Sequence, residues 1–268
     1  ALLVYRENLQ KQTNTERLGK AYAAAMNNLA LIYRELGLAT EALSIFYQAE
    51  KVRQTDSAAV SRLNLATLYY NLAQTHQSLS QYDSAIYYYK RSTDISKLAQ
   101  ATQSSEYLAA ITGMAGLYHD IAYFTEAEIF YTEALRIQEN IGGKQTNVYA
   151  SILSNYALLY QDKGDYAQAQ KLLEASLDTK RHLLGLDHPD YVAVLSNLAL
   201  LMLEQGYFEQ ARRLMEMVVI KYETLYGKGH PNLAKGLMNL ARLEIALGNY
   251  PEAEPLLKQA LQIQNTAY

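Results

Sequence analysis

One internal period runs through these 268 residues and narrows the choice of fold more than any other feature. An alanine recurs at Ala42, Ala85, Ala127, Ala169, Ala211 and Ala253, at intervals of 43 and then 42 four times. Three further columns keep the same register. One is Asn28, Asn71, Gly113, Asn155, Asn197 and Asn239; a second is Gly37, Ser80, Ala122, Gly164, Gly206 and Gly248. The third is mostly aromatic: Ala39, Tyr82, Phe124, Tyr166, Phe208 and Tyr250. Six units in one chain must stack on one another, because no single unit of this size buries its apolar face alone.

Each unit reads as two helices. In the fifth, Ala211, Leu214, Met215, Val218, Val219 and Tyr222 form one stripe of a 3.6-residue helix. The segment before it carries Val194, Leu195, Leu198, Ala199, Leu201 and Met202, a wider apolar surface suited to packing on two neighbours. Between them, Gly206 supplies the left-handed conformation that ends a helix. So short a connection makes the two helices antiparallel. Strands of period two are missing, which excludes propeller blades of similar length.

The residue columns separate the remaining helix-pair architectures. Asn155-Tyr156-Ala157-Leu158-Leu159-Tyr160, then Gly164-Asp165-Tyr166, then Ala169, a large residue at Leu173 and a small one at Ser176, resembles the tetratricopeptide pattern. The linkers Gly185-Leu186-Asp187-His188-Pro189-Asp190 and Gly227-Lys228-Gly229-His230-Pro231-Asn232 make it similar to the kinesin-light-chain type. The first three units lack that linker, which places the resemblance nearer to bacterial arrays than to a true kinesin light chain. The fold this implies is all-α, a right-handed tetratricopeptide superhelical solenoid of antiparallel helix pairs. The expected layout is one array over residues 1–268. Residues 1–17 would be the remnant of a preceding repeat, with repeats at 18–56, 57–99, 100–143, 144–186, 187–228 and 229–268. Both ends would lack a polar cap, which leaves end-to-end self-association open. Pro255, inside the last helix, is expected to remove a hydrogen bond or push the helix start later.

Composition removes several function classes. The chain has no cysteine, hence no thiolate nucleophile and no Cys-based zinc site. Net charge is −3, which gives no electrostatic footprint for nucleic acid or anionic membrane. No apolar run approaches the ~20 residues of a membrane span. With no N-x-Ser/Thr sequon either, the expected location is the cytoplasm.

Candidate chemistry is sparse. His76, His119, His182, His188 and His230 form no metal-ligand spacing. His188 and His230 recur in the same linker slot, as a structural residue would. Gly142-Gly143-Lys144-Gln145-Thr146 lacks the spacing of a phosphate loop. The 24 tyrosines, with no basic residues interleaved, read as helix contacts rather than a stacking platform. No catalytic residue, metal or cofactor is expected, and the chain is not expected to be an enzyme.

Asparagines carry the binding expectation. In the family it resembles, the first helix of each pair lines the concave face, and this column hydrogen-bonds the backbone of a bound peptide. The positions matched here are Asn28, Asn71, Asn155, Asn197 and Asn239. An amide offers both donor and acceptor, so it suits an extended main chain. The other reading is that these amides cap or bridge adjacent helices. Flanking positions on that face include Asn27, Tyr70, Ser154 and Ser196, an acidic edge at Asp162 and Glu204, and the bases Lys235 and Arg242. The resemblance implies a protein-interaction scaffold holding a peptide or partner domain. The alternative is the sensor or regulatory arm of a larger protein, such as one with a caspase-like protease domain.

Overall fold

The computed structural model describes residues 16–53 and 59–267. Those residues form twelve α-helices and no strand. In unit one (Ala1–Ile141) they are α1 (Glu16–Glu35), α2 (Ala39–Arg53), α3 (Ala59–Ser78), α4 (Tyr82–Leu98), α5 (Ser105–Asp120) and α6 (Phe124–Gly142). In unit two (Gly142–Tyr268) they are α7 (Asn147–Asp162), α8 (Tyr166–Leu184), α9 (Pro189–Glu204), α10 (Phe208–Tyr226), α11 (Pro231–Ala246) and α12 (Tyr250–Ala267). Most of the expected remnant at 1–17 lies outside the described residues, but Glu16 and Arg17 belong to α1.

Each helix pair is joined by the same turn. The residues of the glycine column all sit in the left-handed region: Gly37 at φ 77°, Gly164 at 79°, Gly206 and Gly248 at 78°. Ser80 at 57° and Ala122 at 60° adopt it too, without glycine's freedom. The hydrogen bonds explain why. At Ala122 the N–H donates to His119 O (2.9 Å), and the next N–H, of Tyr123, reaches back to Tyr118 O (2.8 Å). That closure satisfies two carbonyls the helix end would otherwise leave open. The turn is therefore kept even where the side chain opposes it.

Connections between pairs use a second device. Gly185 (φ 86°, ψ 169°) and Gly227 (φ 80°, ψ 176°) take a backbone conformation essentially closed to other residues. Three residues later the histidine caps the next helix. Nδ1 of His188 accepts from the N–H of Asp190, and Nδ1 of His230 from that of Asn232, both at 3.1 Å. Pro189 and Pro231 follow in the first turn, where a missing N–H costs little. Ser104 and Thr146 cap α5 and α7 through their hydroxyls instead. The duplicated His-Pro is thus helix punctuation.

Packing follows the large and small columns. The small residue at the crossing is Ala49, Ser92, Ala134, Ser176 or Val218, each at most 2% exposed. The two serines bury a hydroxyl without penalty, because Ser92 Oγ donates to Ala66 O (2.8 Å) and Ser176 Oγ to Ala150 O (2.6 Å). Large residues fill the space toward the following repeat: Phe46 packs among Leu65, Leu68 and Leu72, and Met215 in one cluster with Leu243. The column Phe46, Tyr89, Tyr131, Leu173, Met215 stays within 2% exposure, whereas Leu257 in the last pair is 41% exposed. Pro255 does not move the start of α12, which begins at Tyr250 in step with the other second helices.

Two outcomes test this account. Ala122→Gly removes a left-handed penalty of ~1–2 kcal/mol and adds a smaller glycine entropy cost. The net gain of ~0.5–1 kcal/mol should appear as a raised melting temperature, with Gly164→Ala lowering it. Met215→Ala should cost ~2–5 kcal/mol in denaturant unfolding, while Leu257→Ala in the same column costs far less.

Candidate functional site

The first helices α1, α3 and α5 of unit one, and α7, α9 and α11 of unit two, carry the asparagine column. The structure divides its members. Asn71 is buried and donates from Nδ2 to Oδ1 of Asn27 on the neighbouring first helix (2.9 Å). Asn239 donates from Nδ2 to Oγ of Ser196 (3.2 Å). These two amides bridge helices. Asn28 and Asn155 are exposed and Asn197 is half-buried, and the side chains of all three are without partners. The column is therefore divided between amides spent on bridges and amides left unspent.

Bridges between equivalent first helices extend to the acidic edge. Gln77 donates to Asp120 (2.5 Å), and Gln161 donates to Glu204 (2.8 Å). Arg242 lies 3.6 Å from Glu204 on its other oxygen. Glu204 is thus committed to its neighbours on both oxygens, and Arg242 answers an internal acid. Asp162 stays exposed at the end of α7. Tyr70 is half-buried and accepts from Gln74 (2.6 Å), which also accepts from Arg34 (2.9 Å). Ser154 is buried in α7.

The predicted residues that do converge lie in unit two. A cleft of ≈ 460 Å³ opens between α9 and α11, with α10 beneath, and Ser196, Asn197, Lys235 and Asn239 line it. The 42-residue period sets its wall in layers. Asp190 and Asn232 are equivalent positions at the start of the two helices, Ala193 and Lys235 lie one turn on, and Asn197 and Asn239 one turn further. Tyr222 and Tyr226 of α10 supply aromatic surface. Lys235 is exposed and makes no hydrogen bond or ion pair.

Asp190 is anchored from behind. Its Oδ2 accepts from Asn147 Nδ2 (2.8 Å) and lies 3.6 Å from Nζ of Lys180. The Asn147 hydrogen bond, with the Lys180 charge behind it, holds the carboxyl below the usual aspartate range. Lys180 is 3% exposed, and its ammonium donates to Asn147 Oδ1 (2.7 Å) and Ser151 Oγ (2.9 Å). Burial pushes its pKa down, against the pull of Asp190.

Comparison with known families decides the assignment. The family model described as Tetratricopeptide repeat matches residues 21–98, 64–140, 148–219 and 208–266. The chain belongs to the tetratricopeptide repeat (TPR) family. Among solved structures the TPR array is similar to BtubC (BKLC) from P. vanneervenii, with a TM-score of 0.67 at 20% identity over 87% of this chain and 91% of that one. It is also similar to a Podosopora anserina putative kinesin light chain with nearly identical TPR-like repeats, at 0.60 and 24% over 74% and 94%. A Rap protein complexed with Competence and Sporulation Factor gives 0.68 at 14% over 99% and 79%. Each of these likenesses concerns the fold. No curated protein sequence matches the TPR array.

Two parts of the array escaped the sequence reading. Lys180 stands in the inward stripe of α8, in a column that reads Arg53, Ser96, Gln138, Lys180, Tyr222 and Gln264, so a charge at that position did not mark a buried group. Glu244 is 2% exposed and is gripped by both terminal nitrogens of Arg212 and by Nδ2 of Asn249 (2.9 Å). No pattern along the chain marks that pair, because its members sit 32 residues apart on different helices. The tyrosines are helix contacts in the main, Tyr69 and Tyr89 being fully buried. A basic residue does join them, since the Arg91 guanidinium lies 5.0 Å from the Tyr69 ring. His76 is buried between the Tyr47 hydroxyl (2.9 Å) and Oε1 of Gln81 (2.6 Å). No group of three or more potential metal ligands occurs among the described residues, and no helix there is long and apolar enough to cross a membrane.

Gly113, the break in the asparagine column, has a packing cause. A Cβ placed there would lie 2.7 Å from Cζ and 2.8 Å from Oη of Tyr89, the buried large residue of the preceding pair. Gly113→Asn should therefore destabilise unit one by ~1–3 kcal/mol, the range for overpacking. Tyr89→Leu placed in the same chain should recover part of that loss in a double-mutant cycle, read by denaturant unfolding.

Proposed function

We propose that this array is a protein-interaction scaffold that holds an extended peptide or a partner domain against its first helices, with the α9–α11 cleft as its anchoring point. The TPR fold is generally a protein–protein interaction fold and typically a non-catalytic one. The observation that carries the reading is the convergence of Asn197, Asn239, Ser196 and Lys235 on one ≈ 460 Å³ cleft. Asn197 keeps donor and acceptor free there, and Asn239, having spent one N–H on Ser196, keeps its carbonyl oxygen. An extended main chain needs those groups, repeated at intervals, whatever its side chains. Asn28 and Asn155 offer the same free amide on α1 and α7. The likeness to a Rap protein solved with Competence and Sporulation Factor is consistent with a ligand held on such a scaffold.

The test compares partners recovered from host lysate by the wild-type array and by Asn155→Ala/Asn197→Ala/Asn239→Ala. Melting is checked first, because Asn239 also bridges to Ser196. The expected result is a partner held by wild type and lost by the variant at unchanged melting temperature. Equal recovery by both would move binding off the first helices and overturn the reading.

A further inference from the structure

The α9–α11 cleft carries two opposite charges that differ in how they are held. At Asp190 one carboxylate oxygen is fixed by Asn147, with Lys180 behind it. The other makes no hydrogen bond, and the side chain is 42% exposed along the cleft wall. Lys180 cannot reach out to a ligand: it is 3% exposed and its shorter bonds go to Asn147 and Ser151. The carboxylate is thus aimed and braced, with half of its acceptor capacity left over. One turn further, on the neighbouring helix, Lys235 has no partner. The equivalent wall positions across the cleft, Asn232 and Ala193, are uncharged. Polar rings in such clefts fix which ligand enters, since an unmatched charge stays exposed or is desolvated without return.

We propose that this cleft selects a mixed-charge segment, with a Lys or Arg side chain of the ligand on Asp190 and an Asp or Glu side chain on Lys235. This rests on the scaffold reading and adds the chemical class of the ligand. The spacing follows from geometry. The two layers are three residues apart along the helix, ~4.5 Å of rise, and Asp190 and Lys235 stand on neighbouring helices whose axes lie ~8–10 Å apart. Side chains two residues apart on one face of an extended chain are separated by ~6.6 Å, and the long side chains of Lys235 and of the ligand's Lys or Arg span the remaining few ångströms. The matching motif is therefore basic-x-acidic, or its reverse, with both side chains on one face. Asn197 and Asn239, one layer deeper, then meet the main chain beside it.

Capped, amidated heptapeptides serve as probes, so that no terminal charge contributes. They are Gly-Ala-Lys-Ala-Glu-Ala-Gly, the reversed-order peptide, and analogues with the Lys, the Glu or both replaced by Ala. Binding to the whole chain is followed by chemical-shift titration of the side-chain amides of Asn197 and Asn239. One of the two mixed-charge peptides is expected to bind, with up to about a fivefold loss for each charge removed. Lys235→Glu should abolish the preference for Glu and leave that for Lys. Asp190→Asn should do the converse, and Asn232 shows that an amide fits the equivalent position. Should Asp190→Asn melt early through the stranded Lys180, the exposed Lys235→Glu variant and the wild-type peptide series still decide the matter. Equal affinity for charged and all-alanine peptides, indifference to Lys235→Glu, or no binding by any peptide would overturn the proposal. Any of these results beside a partner lost by the asparagine triple variant would leave the scaffold reading standing, with a different ligand chemistry.

Discussion

Within each unit, a helix pair of this protein is completed by the pair that follows it. The large residue of a second helix, Phe46, Tyr89, Leu173 or Met215, packs into a cluster that joins its own pair to the following first helix, and it is almost fully buried. That closure is why the period is strict. A second helix displaced by one residue would rotate its large side chain by ~100° and lose the contact. The turns obey the same demand. Ser80 and Ala122 accept an unfavourable left-handed backbone, because a different turn would change the angle at which the pair meets its neighbour. At Gly113 the demand overrides a column that is otherwise asparagine, since the Tyr89 ring leaves no room for a side chain.

Polar groups between repeats are arranged as rungs. Asn71 to Asn27, Gln77 to Asp120, Gln161 to Glu204, Asn147 to Asp190 and Asn239 to Ser196 all join equivalent stretches of successive first helices within one unit. A rung made by an exposed pair adds little stability. Its larger consequence is for what the face can offer, because a side chain spent on a rung is no longer available to a ligand. Glu204 and Arg242 are withdrawn in this way, and Asn71 with them. Lys235, Asn197 and the outer oxygen of Asp190 are not. In the α9–α11 cleft, unspent donors and acceptors meet in a concave space.

Much of the fold could be read from spacing alone. The alanine, glycine and aromatic columns marked both helices of every pair, and the duplicated Gly-x-x-His-Pro marked the linkers. Even the cap chemistry was implicit, since a residue just before Pro189 or Pro231 stands where a helix needs an acceptor. The candidate cleft was legible to a lesser degree. Sequence columns named Asn197, Asn239, Ser196 and Lys235, but assigned the same role to Asn71 and Glu204, which the structure employs between helices. Lys180 was hidden for the opposite reason. A lysine in an apolar stripe looks like the snorkelling edge of a surface helix, and only the approach of α7 and α9 turns it into a buried brace.

What the sequence determined by itself was everything that repeats: helix lengths, turn positions, the large and small columns and the left-handed glycines. Those features depend on local backbone preference and on contacts that recur every 42 or 43 residues, so the copies restate them, with glycine at four of the six turns. The tertiary structure alone decided which polar side chains remain unspent. A hydrogen bond such as that of Asn239 to Ser196 depends on sub-ångström approach between two helices. Neither residue's identity nor its spacing encodes that distance, because the packing of the apolar column sets it.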